Sequence, residues 1–293
     1  MFKRFTEHLN TRDGVEIYGK VMGEGPPLLC LHGYPQTHHM WHLVAPELSK
    51  HYTLVMPDLR GYGASGKPTT TEDHAPYSKR EMAADMVAYM ASLGFDEYSA
   101  VAHDRGARVA HRMGMDHPNA VQKLMLLDIA PTREMYRDTS DAFARAYWHW
   151  FFLILPAPGP ERMIGVDPRS FWLEKWGGSA ADNSMFAPEA LEAYLTAFKN
   201  PEVIHASCED YRAAASIDIA HDDADDGAKL TQPLRVLWGD KGVVNTCFDC
   251  LALWRERAEF VTGRGLPSGH FIAEEVPEIL IEEAKDFFQD YVT

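Results

Sequence analysis

With 293 residues, of which 46% are hydrophobic and 24% charged, the chain can bury a large core and has the length of one α/β enzyme carrying an insertion. Its formal net charge of −15 at pH 7 argues against nucleic acid or an anionic membrane surface as partner, and an anionic ligand must be drawn in by particular basic side chains. No signal-like apolar core follows Met1 and no stretch reaches transmembrane length, so a cytoplasmic protein is expected.

In chain order, the residues up to about Gly23 read as two strands joined by the turn Arg12-Asp13-Gly14. Leu28 to Leu31 is a short apolar run, as for a strand buried on both faces of a parallel sheet, and leads into His32-Gly33-Tyr34-Pro35-Gln36-Thr37-His38. Tyr52 to Met56 is a second buried strand, followed by Asp58-Leu59-Arg60-Gly61-Tyr62-Gly63. Ser78 to Leu93 has helical periodicity with Met82, Met86 and Met90 on one face, which assigns those methionines to the core rather than to a cofactor.

Tyr98 to Ala102 is strand-like, Ala107 to Asp116 helix-like, and between them stands His103-Asp104-Arg105-Gly106. Small residues at Ala102 and Gly106, two places either side of Asp104, suit a sharp strand-to-helix turn. Such a nucleophile elbow exposes its central side chain at the top of a parallel sheet. Here that side chain is a carboxylate.

Lys123 to Leu127 is a further buried strand, running into Asp128. From Pro131 to about Asp226 the strand-helix alternation stops, and the stretch is rich in aromatics such as Tyr136, Phe143, Tyr147, Trp148 and Trp150. It reads as an all-helical insertion, dividing the chain into a core of residues 1–130 and 227–293 and a cap of residues 131–226. The run Asp222, Asp223, Asp225, Asp226 at its far edge is expected to be a solvated loop rather than a calcium site. Alternation resumes with Leu234 to Trp238 and Glu259 to Val261, then the turn Pro267-Ser268-Gly269-His270 and a helix from Pro277. Of the four cysteines, Cys30 reads as a buried thiol. Cys247 and Cys250 form a Cys-x-x-Cys pair without the second pair that a structural zinc needs, and read as helix-borne thiols. No metal and no cofactor are expected.

Alternating strands and helices imply a mostly parallel sheet covered on both faces, with function at the carboxyl ends of the strands. His32, Asp58, Asp104, Asp128, Asp240 and His270 all follow strand-like runs and are candidates for one site. A carboxylate nucleophile is already ionised at neutral pH, and suits displacement at a saturated carbon or opening of an epoxide. The ester so formed needs a neutral histidine to activate water, an acid to orient that histidine, and an oxyanion hole. His270 is the best base, and the acid is Asp128 or Asp240, with Asp128 preferred because it ends a buried strand directly. Backbone N–H groups of Arg105 and of Tyr34, after His32-Gly33, would form the oxyanion hole. Arg105 and Arg108, three apart on a helix, share a face, and two guanidinium forks there can hold a substrate carboxylate bidentately beside Asp104.

With these residues in view, the chain resembles the α/β-hydrolase superfamily, and within it the fluoroacetate (haloacetate) dehalogenases. The resemblance covers nearly the whole chain and is carried by the motifs above together with Leu127-Asp128-Ile129, His149-Trp150, Cys208-Glu209-Asp210-Tyr211-Arg212 and Ser268-Gly269-His270-Phe271. It implies the α/β-hydrolase fold: a mostly parallel central sheet, helices on both faces and an inserted helical cap. It implies an Asp104–His270–Asp128 triad, carboxylate binding by Arg105 and Arg108, and halide binding by His149, Trp150 and Tyr211. Tyr34, His32 and Trp176 are expected to line the pocket, and a homodimer acting on a small haloacid is implied. One departure is Tyr34, where the family commonly has phenylalanine.

An epoxide hydrolase shares the fold, the aspartate and the histidine, with Tyr147, Tyr194 and Tyr211 available to protonate an epoxide oxygen. A charged arginine after the nucleophile is poorly placed for an apolar epoxide. The fold also serves as a ligand-binding receptor without turnover, against which the intact nucleophile, base and acid argue.

Overall fold

The computed structural model describes residues 4–176 and 184–289, with Trp176 described for its backbone alone. Eight strands form one sheet in the order β1-β2-β4-β3-β5-β6-β7-β8. β1 (Thr6–Arg12), β2 (Val15–Met22) and β4 (Thr53–Pro57) are joined antiparallel; β3 (Pro27–Leu31), β5 (Tyr98–His103), β6 (Val121–Leu127), β7 (Leu234–Gly239) and β8 (Val261–Leu266) complete the sheet in parallel. Asp13 and Gly14 at the β1–β2 turn both have positive φ, the conformation that lets a tight hairpin turn follow the strand twist. Every residue of β5 is buried, as its unbroken small and apolar sequence requires of a central strand covered on both faces.

Short α1 (Ala45–Leu48) precedes β4, α2 (Lys79–Ser92) precedes β5, and α3 (Asp104–Asp116) follows it. Ser78 caps α2 by accepting from the Glu81 N–H, and Met82, Met86 and Met90 are buried, in the core as expected. Between β6 and β7 the described chain is helical: α4 (Thr132–Arg137), α5 (Asp141–Ala146), α6 (Trp148–Leu153), α7 (Gly159–Val166), α8 (Pro168–Trp176), α9 (Pro188–Phe198), α10 (Pro201–Ala214) and α11 (Ile217–Ala224). Helices α12 (Val243–Cys247), α13 (Cys250–Arg257), α14 (Ile272–Glu275) and α15 (Pro277–Phe288) surround β7 and β8.

Two expectations need correction, while the two C-terminal cysteines are helix-borne thiols as expected. The last strand is Val261–Leu266, not Glu259–Val261. Its glycines hid it from a pattern reading, yet they are needed there: a Cβ on Gly263 would lie 2.0 Å from the Val236 carbonyl oxygen of β7. The acidic run is not a solvated loop. Asp222 and Asp223 belong to α11, and Arg112 of α3 pairs with Asp222 at 2.8 Å and Asp225 at 2.6 Å, tying the insertion's far end to the elbow helix. Cys247 and Cys250 lie on different helices, α12 and α13, and the Cys250 thiol donates to the Ile129 carbonyl.

Candidate active site

β5 delivers Asp104 into a left-handed conformation, φ +45°, as the first residue of α3. A non-glycine residue there is strained, and the packing around it holds the strain. Gly106 is obligatory: a Cβ on it would lie 2.3 Å from the His32 carbonyl oxygen. Burial pushes the Asp104 carboxyl up, but His270, His103, Arg105 and Arg108 together hold it below its ordinary value. The nucleophile candidate is therefore an anion at neutral pH. The Tyr34 N–H donates to Asp104 Oδ2 at 3.0 Å, so that amide already points at carboxylate oxygen in the resting protein.

Of the two candidate acids, Asp128 is the one in hydrogen-bond contact with His270. Asp128, also left-handed at φ +52°, accepts from the Gly239 N–H through Oδ1 at 2.9 Å and from His270 Nδ1 through Oδ2 at 2.6 Å. Asp240 is exposed, and no contact joins it to His270 among the described residues. With Nδ1–H donated to Asp128, the lone pair of His270 sits on Nε2. Burial lowers the His270 pKa, but the Asp128 hydrogen bond and charge outweigh it, and the net shift is upward. His103 braces the same turn: its Nε2–H donates to the His270 carbonyl at 2.9 Å, and burial drives its own pKa down to about 3.

Two other strand-end candidates serve the scaffold. His32 accepts the Leu59 N–H on Nε2 at 2.9 Å, so its Nδ1–H donates to the Gly33 carbonyl. Both nitrogens are spent on backbone, so the ring shapes the loop that carries the Tyr34 amide. Asp58 accepts from the backbone and ring of His38 and from the Ala64 N–H.

Both arginines are buried, but they are not equivalent. Arg105, fully buried, turns its fork to the cap-side Asp210: Nε donates to Oδ2 at 2.9 Å and Nη2 to Oδ1 at 2.7 Å, with the Asp210 carbonyl also accepting from Nη2 at 2.9 Å. Lys79 pairs with the same Asp210, and the Tyr62 hydroxyl donates to it at 2.6 Å. The expected bidentate grip of Arg105 on a ligand is thus already taken by Asp210, leaving Nη1 as its donor without a partner among the described residues. Arg108 is only 3% exposed, and among the described residues it has no ion-pair partner. Its Nη1 donates to Thr132 Oγ1 at 2.8 Å and its Nη2 to Met135 Sδ at 3.3 Å, while the guanidinium lies 4.7 Å over Trp150. Burial, and then Arg105, lower its pKa. The Asp104 charge raises it only in part, and a buried cation whose hydrogen bonds all go to neutral groups costs several kcal/mol unless an anion arrives.

The insertion brings His149, Trp150 and Tyr211 together, with the Tyr211 ring centroid 5.8 Å from His149 and 6.2 Å from Trp150, and Tyr34 stacked 6.2 Å from His149. All four are buried. Burial, and then Lys175, His270 and Arg105, keep His149 neutral far below its ordinary pKa. The Tyr147 hydroxyl lies 3.4 Å from His270 Nδ1, and that of Tyr194 is committed to Glu274 at 2.9 Å. Trp176 ends α8, and its side chain lies outside the described residues. Asp210 and Lys79 were not singled out as functional by pattern; the one signal was the acid's place next to Tyr211. Among the described residues, the group with metal-ligand geometry is Glu161, His205 and Glu209, away from the elbow, and Arg212 already pairs with both glutamates.

The family model for the α/β hydrolase fold matches residues 26–242. A fluoroacetate dehalogenase from Burkholderia sp. is 44% identical over 99% of this chain and 96% of its own length. A soluble epoxide hydrolase from Corynebacterium sp. strain C12 is 30% identical, covering 98% and 99%. A crystal structure from Nostoc sp. PCC 7120, described as an α/β hydrolase, superposes with a TM-score of 0.94 at 51% identity, covering 98% of this chain and 99% of that one. The chain therefore belongs to the α/β-hydrolase superfamily and, within it, to the fluoroacetate dehalogenase family.

Proposed function

We propose that this protein hydrolyses the carbon–halogen bond of a haloacetate, fluoroacetate or chloroacetate, to give glycolate and halide. The observation that carries the reading is Arg108, a buried guanidinium with no acidic partner among the described residues, one helical turn from the elbow carboxylate. A small carboxylate supplies the missing anion and places its neighbouring carbon against Asp104. Asp104 attacks that carbon, the C–X bond breaks with its electron pair leaving on the halide, and an aspartyl ester forms. His149, Trp150 and Tyr211 are assigned as N–H and O–H donors to the departing halide. Neutral His270, oriented by Asp128, takes a proton from water, whose oxygen adds to the ester carbonyl. The Tyr34 N–H, which already donates to Asp104 Oδ2, and the Arg105 N–H are assigned to the oxyanion. On collapse the departing glycolate oxygen takes the proton held by His270, the water oxygen remains in the restored Asp104 carboxyl, and the water's second proton passes to solvent. The insertion, residues 131–226, acts as the cap that supplies Asp210 and the halide donors. The family also carries the expectation of a homodimer in the cytoplasm.

Epoxide hydrolysis is the second reading, favoured by the 30% identical epoxide hydrolase relative. Against it, Tyr194 is bound to Glu274, and the two cations beside Asp104 suit an anion. Halide release and diol formation from fluoroacetate, chloroacetate and styrene oxide separate the two. Diol without halide would remove the haloacetate reading, and binding without either product leaves a receptor.

A further inference from the structure

Four polar atoms on α3 and α4 are buried and have no hydrogen-bond partner among the described residues: Nη1 of Arg105, Nε of Arg108, the hydroxyl of Tyr136 and Oε2 of Glu134. The first two can only donate. Of the acceptors, the Glu134 carboxylate lies on another face of α4 and is held by Arg257 through Oε1, and Asp218 Oδ2 is held by Lys79 at 3.5 Å. The surplus is therefore of donors, and what balances it is a ligand that only accepts.

Tyr136 is tied to the arginines by position. It stands on α4 four residues after Thr132, so both face the same side of the helix. Thr132 Oγ1 and Met135 Sδ both accept from Arg108, which places α4 directly on that guanidinium. The Tyr136 ring lies 5.0 Å from Trp150, the ring over which Arg108 sits. Burial raises the phenol to about 12 against the pull of Arg105 and Arg108, so the hydroxyl keeps its proton across the working range. A carboxylate offers two oxygens and about four lone-pair sites, enough for three donors at once.

We propose that the Tyr136 hydroxyl is a third donor to the substrate carboxylate, completing with Arg105 and Arg108 a cradle selective for a small carboxylate anion. The assignment deepens the haloacetate reading and rests on it for the identity of the anion.

The test uses acetate, which presents the carboxylate without a leaving group, titrated calorimetrically into the wild type and into Tyr136→Phe. Phenylalanine keeps the ring on Trp150 and removes one oxygen. Acetate affinity is expected to fall about tenfold or more, the loss for one hydrogen bond to a charged group. Without acetate, the variant's melting temperature should hold or rise, because a buried hydroxyl without a partner costs stability. Equal affinity in the two proteins, no binding by the wild type, or a lower melting temperature of the unliganded variant overturns the assignment. Halide release is read separately: a wild type that binds acetate yet releases no halide keeps the cradle and removes the dehalogenase reading.

Discussion

Arg108→Met tests the reading where it is most exposed. Methionine keeps much of the length and apolar stem of the arginine, and it sits among Trp150, Met135 and Ala130 without a charge. The wild-type guanidinium is 3% exposed, with Thr132 Oγ1 at 2.8 Å, Met135 Sδ at 3.3 Å and no acid among the described residues to pair with it. Losing the Thr132 bond costs about 1 kcal/mol, while removing a buried unpaired charge returns a comparable or larger amount. The unliganded variant is therefore expected to melt no lower than the wild type. Binding a carboxylate beside the uncharged side chain forfeits about 2–4 kcal/mol, the usual result of truncating one partner of a buried charge pair. That is about thirtyfold to several hundredfold in KM for fluoroacetate or chloroacetate. Initial rates of halide release and a thermal melt read both quantities. An unchanged KM, or a melting temperature lowered by the equivalent of several kcal/mol, would show that Arg108 serves the fold instead of the ligand.

Three further outcomes follow from the same geometry. Asp104→Asn should release no halide, and His270→Ala about one halide per enzyme before stalling as an ester, detected by intact mass; steady turnover in the latter would mean another base. His270 must be neutral to activate water, and its pKa lies above the ordinary histidine value because Asp128 outweighs burial. kcat should therefore fall as pH drops, with an apparent pKa above about 6.5. In Asp128→Asn that limb should move to lower pH while the maximum falls; an unmoved limb refutes the pairing. Glu274, accepting from Gln36 at 2.7 Å and Tyr194 at 2.9 Å, is raised by burial to about 8. A raised carboxyl favours its neutral form in the fold, so stability is lost as pH climbs from the unfolded value through 8, at about 1.4 kcal/mol per unit. Glu274→Gln should flatten that fall in urea titrations between pH 6 and 9, and an identical slope in both proteins would refute it.

Much of the fold was legible because its signals are local. Buried runs such as Leu28 to Leu31 and Lys123 to Leu127, helical methionine spacing and small residues flanking Asp104 each depend on neighbours in sequence, and the structure agrees with them. The strand Val261–Leu266 was illegible because two glycines interrupt its apolar pattern, and Gly263 answers to the Val236 backbone across the sheet instead of to a pattern of its own. The acidic run was misjudged for the same reason: its partner Arg112 lies more than a hundred residues away.

What the sequence by itself determined was the elbow carboxylate, the histidine after the last strand and the presence of two arginines beside that carboxylate. Which acid meets His270 depended on where Asp128 and Gly239 come together across β6 and β7, so only the tertiary structure could decide it. The division between the arginines was likewise decided in three dimensions. Asp210 arrives from a helix of the insertion and neutralises Arg105, while Arg108 has no ion-pair partner among the described residues and feels the Asp104 charge only at longer range. Two side chains three residues apart on one helix are equivalent by spacing; their charge environment is made by segments that sequence distance conceals.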